Sequence, residues 1–344
     1  MKRTVSWITV IAVTVATVAA LCGCQTTVEK EKFTDYSFDY FDTVTSIVGY
    51  ETDKETFDAV CTAIKEKLAF YHNQYTIYTT MDGINNLAAV NAADEPLTVD
   101  RAIIDLLVYA KEMYTLTNGQ TNVALGSVTA LWHTYREEGI ALPPSDRLQQ
   151  AAQHTHIDQV KIDRTNNTVF LAEEGLRLDV GALGKGYAVE MVARWMQQQG
   201  YTGYLLNVGG NVRAVGSRPD GEGWRVGIEN PLAETTDDAY AAQVTIHDKA
   251  VVTSGSYQRY YTVDGIRYHH IIDPDTLYPH NTFVSVSVLC EHSGQGDALS
   301  TALFCMTYEE GRALVDSLAD VEAMWILADG TTYYSDGFTE YVTA

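Results

Sequence analysis

The chain has 344 residues, 46% of them hydrophobic, enough apolar side chain for one large core or two small ones. Its 45 acidic against 23 basic residues give a formal net charge of −22, a surface that repels phosphate backbones and argues against nucleic-acid binding. An anionic ligand can bind only where local cations, a metal ion or backbone N–H groups overcome that field.

At the start of the chain, Lys2 and Arg3 precede an apolar run from Trp7 to Ala20, followed by LCGCQ. A charged start, an apolar middle and a small residue before a cysteine predict a cleaved export signal over 1–23. The apolar run is short for a membrane span of ~20 residues. Leu21, Gly23 and Cys24 resemble a bacterial lipobox, which makes Cys24 the lipidated N-terminus. The protein is then lipid-anchored at the cell membrane, facing the extracytoplasmic side. Residues 24–36 read as a polar tether and 37–344 as the folded part.

Further along, Phe57, Val60, Ile64, Leu68 and Tyr71 share one helical face, as do Ile103, Leu107, Ala110 and Tyr114, with Gly119 as a stop. Strand-like QVKID and TVFLA flank Asn166-Asn167, and a third helix is predicted from about Gly186 to Gly200. Strand-like YLLNV, WRVGIE, AQVTIH, AVVTS and VSVSVL follow. Asp264-Gly265 and Asp329-Gly330 each join two such runs, which is a strong hairpin signal. A fourth helix begins near Gly296 with DALSTALFCM, and Thr307 to Glu310 forms a capping box for a fifth. Hairpins in series mean antiparallel sheet, so the fold class is α+β rather than doubly wound α/β. Outside the leader, Cys61, Cys290 and Cys305 fit no zinc spacing and read as core thiols.

The loop LDVGALGKGYAVE at 178–190 raises the question of a phosphate site. Only two residues separate Gly181 from Gly184-Lys185, and Gly186 stands where a P-loop needs a hydroxyl. The dinucleotide fingerprint fails on spacing too. A helix N-terminus with a lysine is still a site for an anion. A tight strand-to-helix connection with a solvated lysine fits the same residues. His154 and His156 have metal-like spacing without a third ligand and read as surface residues, and Asp273-Pro274 reads as a turn.

Other stretches extend the pattern in order: FDT at 41–43, IYTTMDGINNLAAVN at 77–91, TNVALGSVTALW at 121–132, LLNVGGNVRAVG at 205–216, VVTSGSYQRYY at 251–261, HHIIDPDTLYP at 269–279 and GDALSTALF at 296–304. With LDVGALGKGY, this set resembles the FAD:protein FMN transferases, the ApbE family of bacterial lipoproteins, over nearly the whole mature chain. The resemblance implies a T-fold-like α+β architecture, antiparallel sheets with helices packed on them, and makes 37–344 the catalytic domain. It implies Mg²⁺-dependent cleavage of FAD as substrate. FMN passes through a phosphoester bond to a Ser or Thr hydroxyl of an exported acceptor protein, and AMP leaves.

Such chemistry needs neutralised diphosphate charge and a positioned nucleophile, and a hard cation wants oxygen ligands. Asp297 and Thr301 are four apart, so a helix puts them on one face. An acid favoured at a helix start, beside a buried threonine, reads equally from the residues alone. The resemblance makes Asp297 and Thr301 metal ligands, with the Ala182 carbonyl as a third. It implies Phe41 and Tyr78 near the flavin or adenine, with Gln120, Thr121, Asn122, Asp179, Lys185 and Ile272 completing the FAD site. Asp297 and His270 carry the catalytic assignment, His270 as general base because imidazole titrates near neutrality. A satisfied strand histidine beside His269 is the other reading of His270. Three positions depart from the family pattern: Leu277 replaces a usual Gly, Asn122 a frequent Asp, and Ser300 an occasional Asp. The competing functions are a FAD pyrophosphatase, with water as acceptor, and a non-catalytic flavin-binding lipoprotein.

Overall fold

A computed structural model describes residues 29–343. The export signal, the lipobox and Cys24 lie outside the described residues. In chain order the first half holds β1 (Glu31–Tyr40), β2 (Thr43–Glu51), α1 (Lys54–Tyr75), α2 (Leu87–Asn91), β3 (Leu97–Thr98), α3 (Arg101–Leu116), α4 (Gly126–Glu138), α5 (Ser145–Ala152), β4 (Val160–Asp163) and β5 (Thr168–Leu171). The second half holds α6 (Gly184–Gln198), β6 (Tyr204–Val208), β7 (Asn211–Val215), β8 (Trp224–Glu229), β9 (Tyr240–Ile246), β10 (Ala250–Gly255), β11 (Tyr260–Val263), β12 (Ile266–His269), β13 (Phe283–Cys290), α7 (Ser293–Cys305), α8 (Tyr308–Asp316), β14 (Glu322–Leu327) and β15 (Thr332–Tyr334).

An eight-stranded antiparallel sheet in the order β1-β2-β6-β7-β10-β13-β14-β15 organises the molecule. Alternation along its strands feeds two cores. Ala250 and Val252 of β10, with Val286, Val288 and Cys290 of β13, face the helices and pack on Leu299, Leu303 and Phe304 of α7. Val251 and Leu289 face the other way, against Trp224, Val226 and Ile246 of the β8–β9 hairpin. Helices α1 and α6 cover the β2–β6 end through Phe57, Ile64, Leu68, Val192 and Met196. The α+β expectation therefore holds, with helices on one face of the sheet and a hairpin on the other.

Local signals placed most elements. Asp264-Gly265 closes β11–β12 with φ of 50° and 79°, and Thr307 and Glu310 form the capping box of α8. The sheet begins earlier than expected. Residues 31–36, read as tether, belong to β1, because Phe33 turns inward onto the Phe57 ring at 5.5 Å while Lys32 and Thr34 stay exposed. An edge strand with one buried face carries few apolar residues. Helix α7 starts at Ser293 rather than Gly296, since the His292 ring accepts from the Gly294 and Gln295 N–H groups. Among the described residues, no helix is long and apolar enough to cross a membrane.

Candidate active site

Asp179 fixes the loop that enters α6. Its own N–H donates to the Val123 carbonyl at 2.8 Å, while its carboxylate accepts from the Thr129 hydroxyl at 2.7 Å and from the Gly181 N–H at 2.9 Å. The Val180 carbonyl then accepts from the Leu183 and Gly184 N–H groups, so the chain curls directly into the helix. No side chain of its own caps α6. Asp297 of α7 does that instead: one oxygen accepts from the Gly186 N–H at 2.6 Å, and the other lies 3.2 Å from Lys185 Nζ. The Asp297 side chain is 7% exposed and that of Lys185 20%. Lys185 is therefore not a solvated lysine. It stands with a helix N-terminus and a buried acid in one site.

Glycine at 186 is a packing requirement. A Cβ there would lie 2.5 Å from Asp297 Cβ, 2.6 Å from the Ser293 carbonyl oxygen and 2.7 Å from Asn211 Nδ2. One turn along α7, Thr301 Oγ1 is 3.5 Å from the Ala182 carbonyl oxygen, and Ser254 Oγ is 3.4 Å from Thr301 Oγ1 and 2.9 Å from Ser300 Oγ. Among the described residues, no cluster of three or more His, Cys, Asp or Glu side chains could hold a metal. A cation here would have one carboxylate, a hydroxyl and a carbonyl from the protein, all hard oxygens. Magnesium is commonly held in that way, by one or two carboxylates plus substrate phosphates. The residues present fit such an ion. Ser254, which the sequence reading did not single out, sits at the end of the buried strand β10 within the VVTSGSYQRYY stretch.

Segments far apart in sequence line the surroundings. Gln120 donates from Nε2 to Asp275 at 2.8 Å, and its Oε1 is buried with no partner, an acceptor left open beside the site. The Thr121 hydroxyl donates to the Ala298 carbonyl of α7 at 2.7 Å, and Asn122 is engaged at both ends by the Ala124 N–H and the Thr155 carbonyl. These two side chains pin the loop, so any contact they make with a ligand comes from the backbone. Tyr78 is 64% exposed and lies 5.3 Å from the His133 ring. Partial desolvation and the Asp179 charge raise its pKa, against the Arg136 and Arg259 cations. Phe41 sits in the β1–β2 turn, its N–H bonded to His72 Nδ1 at 3.1 Å, and both Phe41 and Asp42 have positive φ, 55° and 50°. An aromatic residue in left-handed backbone is strained, and such strain gathers at functional sites.

Arg259 ties two of these segments together, donating to the Asp42 carbonyl while its own carbonyl faces His270 Nδ1 at 3.3 Å. His270 keeps an exposed edge. Desolvation by packed atoms, His269 and the Arg259 and Arg136 cations lower its pKa, so the ring is neutral at pH 7. Its neighbour is the satisfied strand histidine. His269 is buried, Nε2 donating to the His280 carbonyl at 3.0 Å and Nδ1 accepting from the Ile271 N–H at 3.2 Å, and burial lowers its pKa to about 4. Ile272 packs with Leu125, Val128 and Trp132 of the α4 region. Asp273 shapes the expected turn, accepting from the Asp275 and Thr276 N–H groups and the Thr276 hydroxyl. Within that turn Leu277 has φ of 65°, the left-handed conformation for which glycine is the usual residue, and its carbonyl accepts from Trp132 Nε1 at 2.9 Å. His154 and His156 both bond Glu173 at 3.0 Å, on either side of the Thr155 carbonyl that accepts from Asn122.

A model of the ApbE family matches residues 41–325. The FAD:protein FMN transferase of Treponema pallidum (strain Nichols) is 33% identical over 296 residues, 81% of this chain and 81% of its own length. The protein of the same name from Vibrio cholerae (O395) is 29% identical over 342 residues, 96% of each chain. Among solved structures, the ApbE protein of Thermotoga maritima superposes with a TM-score of 0.81 at 26% identity, covering 91% of this chain and 100% of that one. The flavin transferase ApbE of Vibrio cholerae gives 0.75 at 27% identity, covering 91% and 99%. A match that runs from the Phe41 turn into β14, together with relatives of comparable length, shows that the chain belongs to the ApbE family.

Proposed function

We propose that the protein transfers FMN from FAD to a Ser or Thr hydroxyl of an exported acceptor protein, with Mg²⁺, forming a phosphoester and releasing AMP. What supports the reading is the convergence on Asp297 of the α6 N-terminus, the Lys185 cation and, one turn along, the Thr301 and Ala182 oxygens. Such a site meets a diphosphate from both sides, with fixed donors for its oxygens and hard acceptors for its counterion. On a chain of net charge −22, that local cation and helix end are what make anion binding possible.

Asp297, Thr301 and the Ala182 carbonyl would hold the metal, which when bound supplies charge neutralisation on the phosphates. Lys185 and the positive end of the α6 dipole orient the diphosphate. Gln120 Oε1, Phe41 and Tyr78 offer an acceptor and aromatic surface to the rings. His270 faces the Arg259 carbonyl with Nδ1 as donor, which leaves Nε2 to accept the proton of the attacking hydroxyl. Cys24 anchors the protein to the extracytoplasmic face of the membrane. That anchor is tested by labelled fatty acid, whose incorporation Cys24→Ala should abolish.

The decisive experiment incubates the purified protein with FAD, Mg²⁺ and a candidate exported flavoprotein. Flavin fluorescence on the acceptor band after denaturing electrophoresis, with AMP in solution, is expected. Free FMN and AMP without labelled acceptor would make it a pyrophosphatase, and FAD bound but intact would make it a binding protein.

A further inference from the structure

We infer, on the reading of Asp297 as a cation ligand, that Glu190 held by Arg213 is a positioning residue for that carboxylate, locking the first turns of α6 and α7 together. Glu190 lies one turn after Gly186 on α6, and Ser293 one turn before Asp297 on α7. The helices cross antiparallel here, so the two pairs face each other as rungs. At one rung the Gly186 N–H donates to Asp297. At the other the Ser293 N–H, which opens α7, donates to Glu190 Oε2 at 3.0 Å. Each helix start is closed by an acid of the other helix.

Two positive helix ends set side by side repel, and a carboxylate at each offsets that repulsion. Glu190 is held by two arginines, whereas Asp297 has a single lysine. Arg213 Nε donates to Glu190 Oε2 at 3.1 Å with both side chains 4% exposed, and Arg194 Nε reaches Oε1 at 3.1 Å. Arg213 is fixed in turn by Asp248 at 3.1 Å and by the Ala214 carbonyl, and the Ser293 hydroxyl donates to Asn211 Oδ1. Burial raises the Glu190 pKa, but the Arg213 and His292 charges and the Ser293 N–H outweigh it and leave it below the usual carboxylate range. A buried ion pair is seldom needed for stability, since apolar replacements are often neutral or better. Its value here is geometric. With the Ser293 rung closed, the Asp297 rung a turn away cannot slide along the helix face, and the carboxylate stays beside the Thr301 and Ala182 oxygens.

Two variants test this. Glu190→Gln removes the charge at constant shape. Ser293→Pro removes the backbone N–H that Glu190 holds. Proline suits a first helical position, and His292 before it already has extended backbone, φ −109° and ψ 111°. Ser293→Ala controls for the hydroxyl. Mn²⁺, replacing Mg²⁺, is titrated into the purified full chain with FAD present and followed by electron paramagnetic resonance. FAD affinity in EDTA and the unfolding midpoint are measured in parallel. Both variants should lose about 10- to 100-fold in Mn²⁺ affinity, as ligand-orienting residues do, with transfer recovering at saturating Mn²⁺. FAD affinity in EDTA should stay within about twofold, and Ser293→Ala should behave as wild type. Mn²⁺ affinity within about threefold of wild type in a folded Glu190→Gln would overturn the assignment, as would loss of the fold in both variants. A wild-type protein that fails to bind Mn²⁺, or an Asp297→Asn protein that binds it as tightly, would instead strike the cation reading itself.

Discussion

Gly186→Ala probes the helix crossing at its narrowest point. The added methyl would sit 2.5 Å from Asp297 Cβ and 2.6 Å from the Ser293 carbonyl oxygen, whereas carbon contacts are comfortable at about 3.5–4.0 Å. Asn211 is fully buried and Asp297 5% exposed, so neither can swing clear, and the helices must part by about 1 Å. The 2.6 Å Gly186–Asp297 bond then opens to about 3.6 Å, beyond hydrogen-bond length. Losing a charge-assisted bond removes about 1.5–3 kcal/mol, and residual overpacking adds about 1–3 kcal/mol. The sum, roughly 3–6 kcal/mol, is a large part of the ~5–15 kcal/mol that holds a folded chain together. At about 2–4 °C per kcal/mol, Tm should fall by roughly 6–24 °C. Transfer should fall about 100-fold, because a misplacement of about 1 Å in a reacting site has that effect. Calorimetry and the covalent-flavin assay on the same preparation give both numbers. Gly311→Ala in α8 is the control, since its nearest neighbours are Leu303 Cδ2 at 3.2 Å and the Trp325 ring at 3.6 Å, side chains at looser distances and no backbone. A Gly186→Ala protein within about 2 °C of wild type and fully active would refute the close crossing.

Three further substitutions have expected outcomes. Asp297→Asn keeps the shape but removes the charge, so transfer should drop at least ~100-fold and partly return as Mg²⁺ is raised; near-normal turnover at low Mg²⁺ would falsify the metal role. Phe41→Gly should relieve roughly 1–2 kcal/mol of left-handed strain, offset in part by lost ring packing, so Tm holds or rises. FAD affinity should nonetheless weaken by up to about tenfold through lost ring contacts, and an unchanged Kd by fluorescence titration would separate Phe41 from the flavin. His269 has a folded pKa of about 4, below the 6.5 of a free imidazole, so its contribution is fully present above pH 6.5 and is lost as pH falls through 4. The difference amounts to about 3 kcal/mol. Urea unfolding at pH 7 and pH 4.5 should show His269→Gln losing about 2–3 kcal/mol less than wild type between them, and equal losses would exclude His269 as the titrating group.

Periodicity and turn chemistry carry information a few residues wide, and the elements governed by such windows appear where the sequence placed them. Asp264-Gly265 needs only its own φ values to make a hairpin, and Thr307 with Glu310 needs only each other. Helix α4 escaped because its buried face is thin: only Gly126, Val128 and Trp132 are buried along 13 residues. The first strand escaped for a related reason, since an edge strand with one inward face looks like polar tether. The candidate site divides along the same line. Lys185 beside a helix start is a local fact, but its partner Asp297 is 112 residues away, and Arg213 is 23 residues from Glu190. Whether the Thr121 and Asn122 side chains are free or engaged was decided by Ala298 and Thr155, which no window around those residues contains.

Leu277 shows how a family pattern can mislead. Its backbone is left-handed, as a glycine's would be, yet the turn does not depend on glycine. The Leu277 N–H donates to the Asp273 carbonyl at 2.8 Å, the Asp273 carboxylate gathers Asp275 and Thr276, and Trp132 holds the Leu277 carbonyl. The conformation is dictated by its anchors, and the side chain is a passenger with apolar neighbours to rest on. A search that demands glycine at this point would discard this chain. In this chain the residues that impose the turn are Asp273 and Thr276, through their bonds, and the fifth position only has to tolerate it.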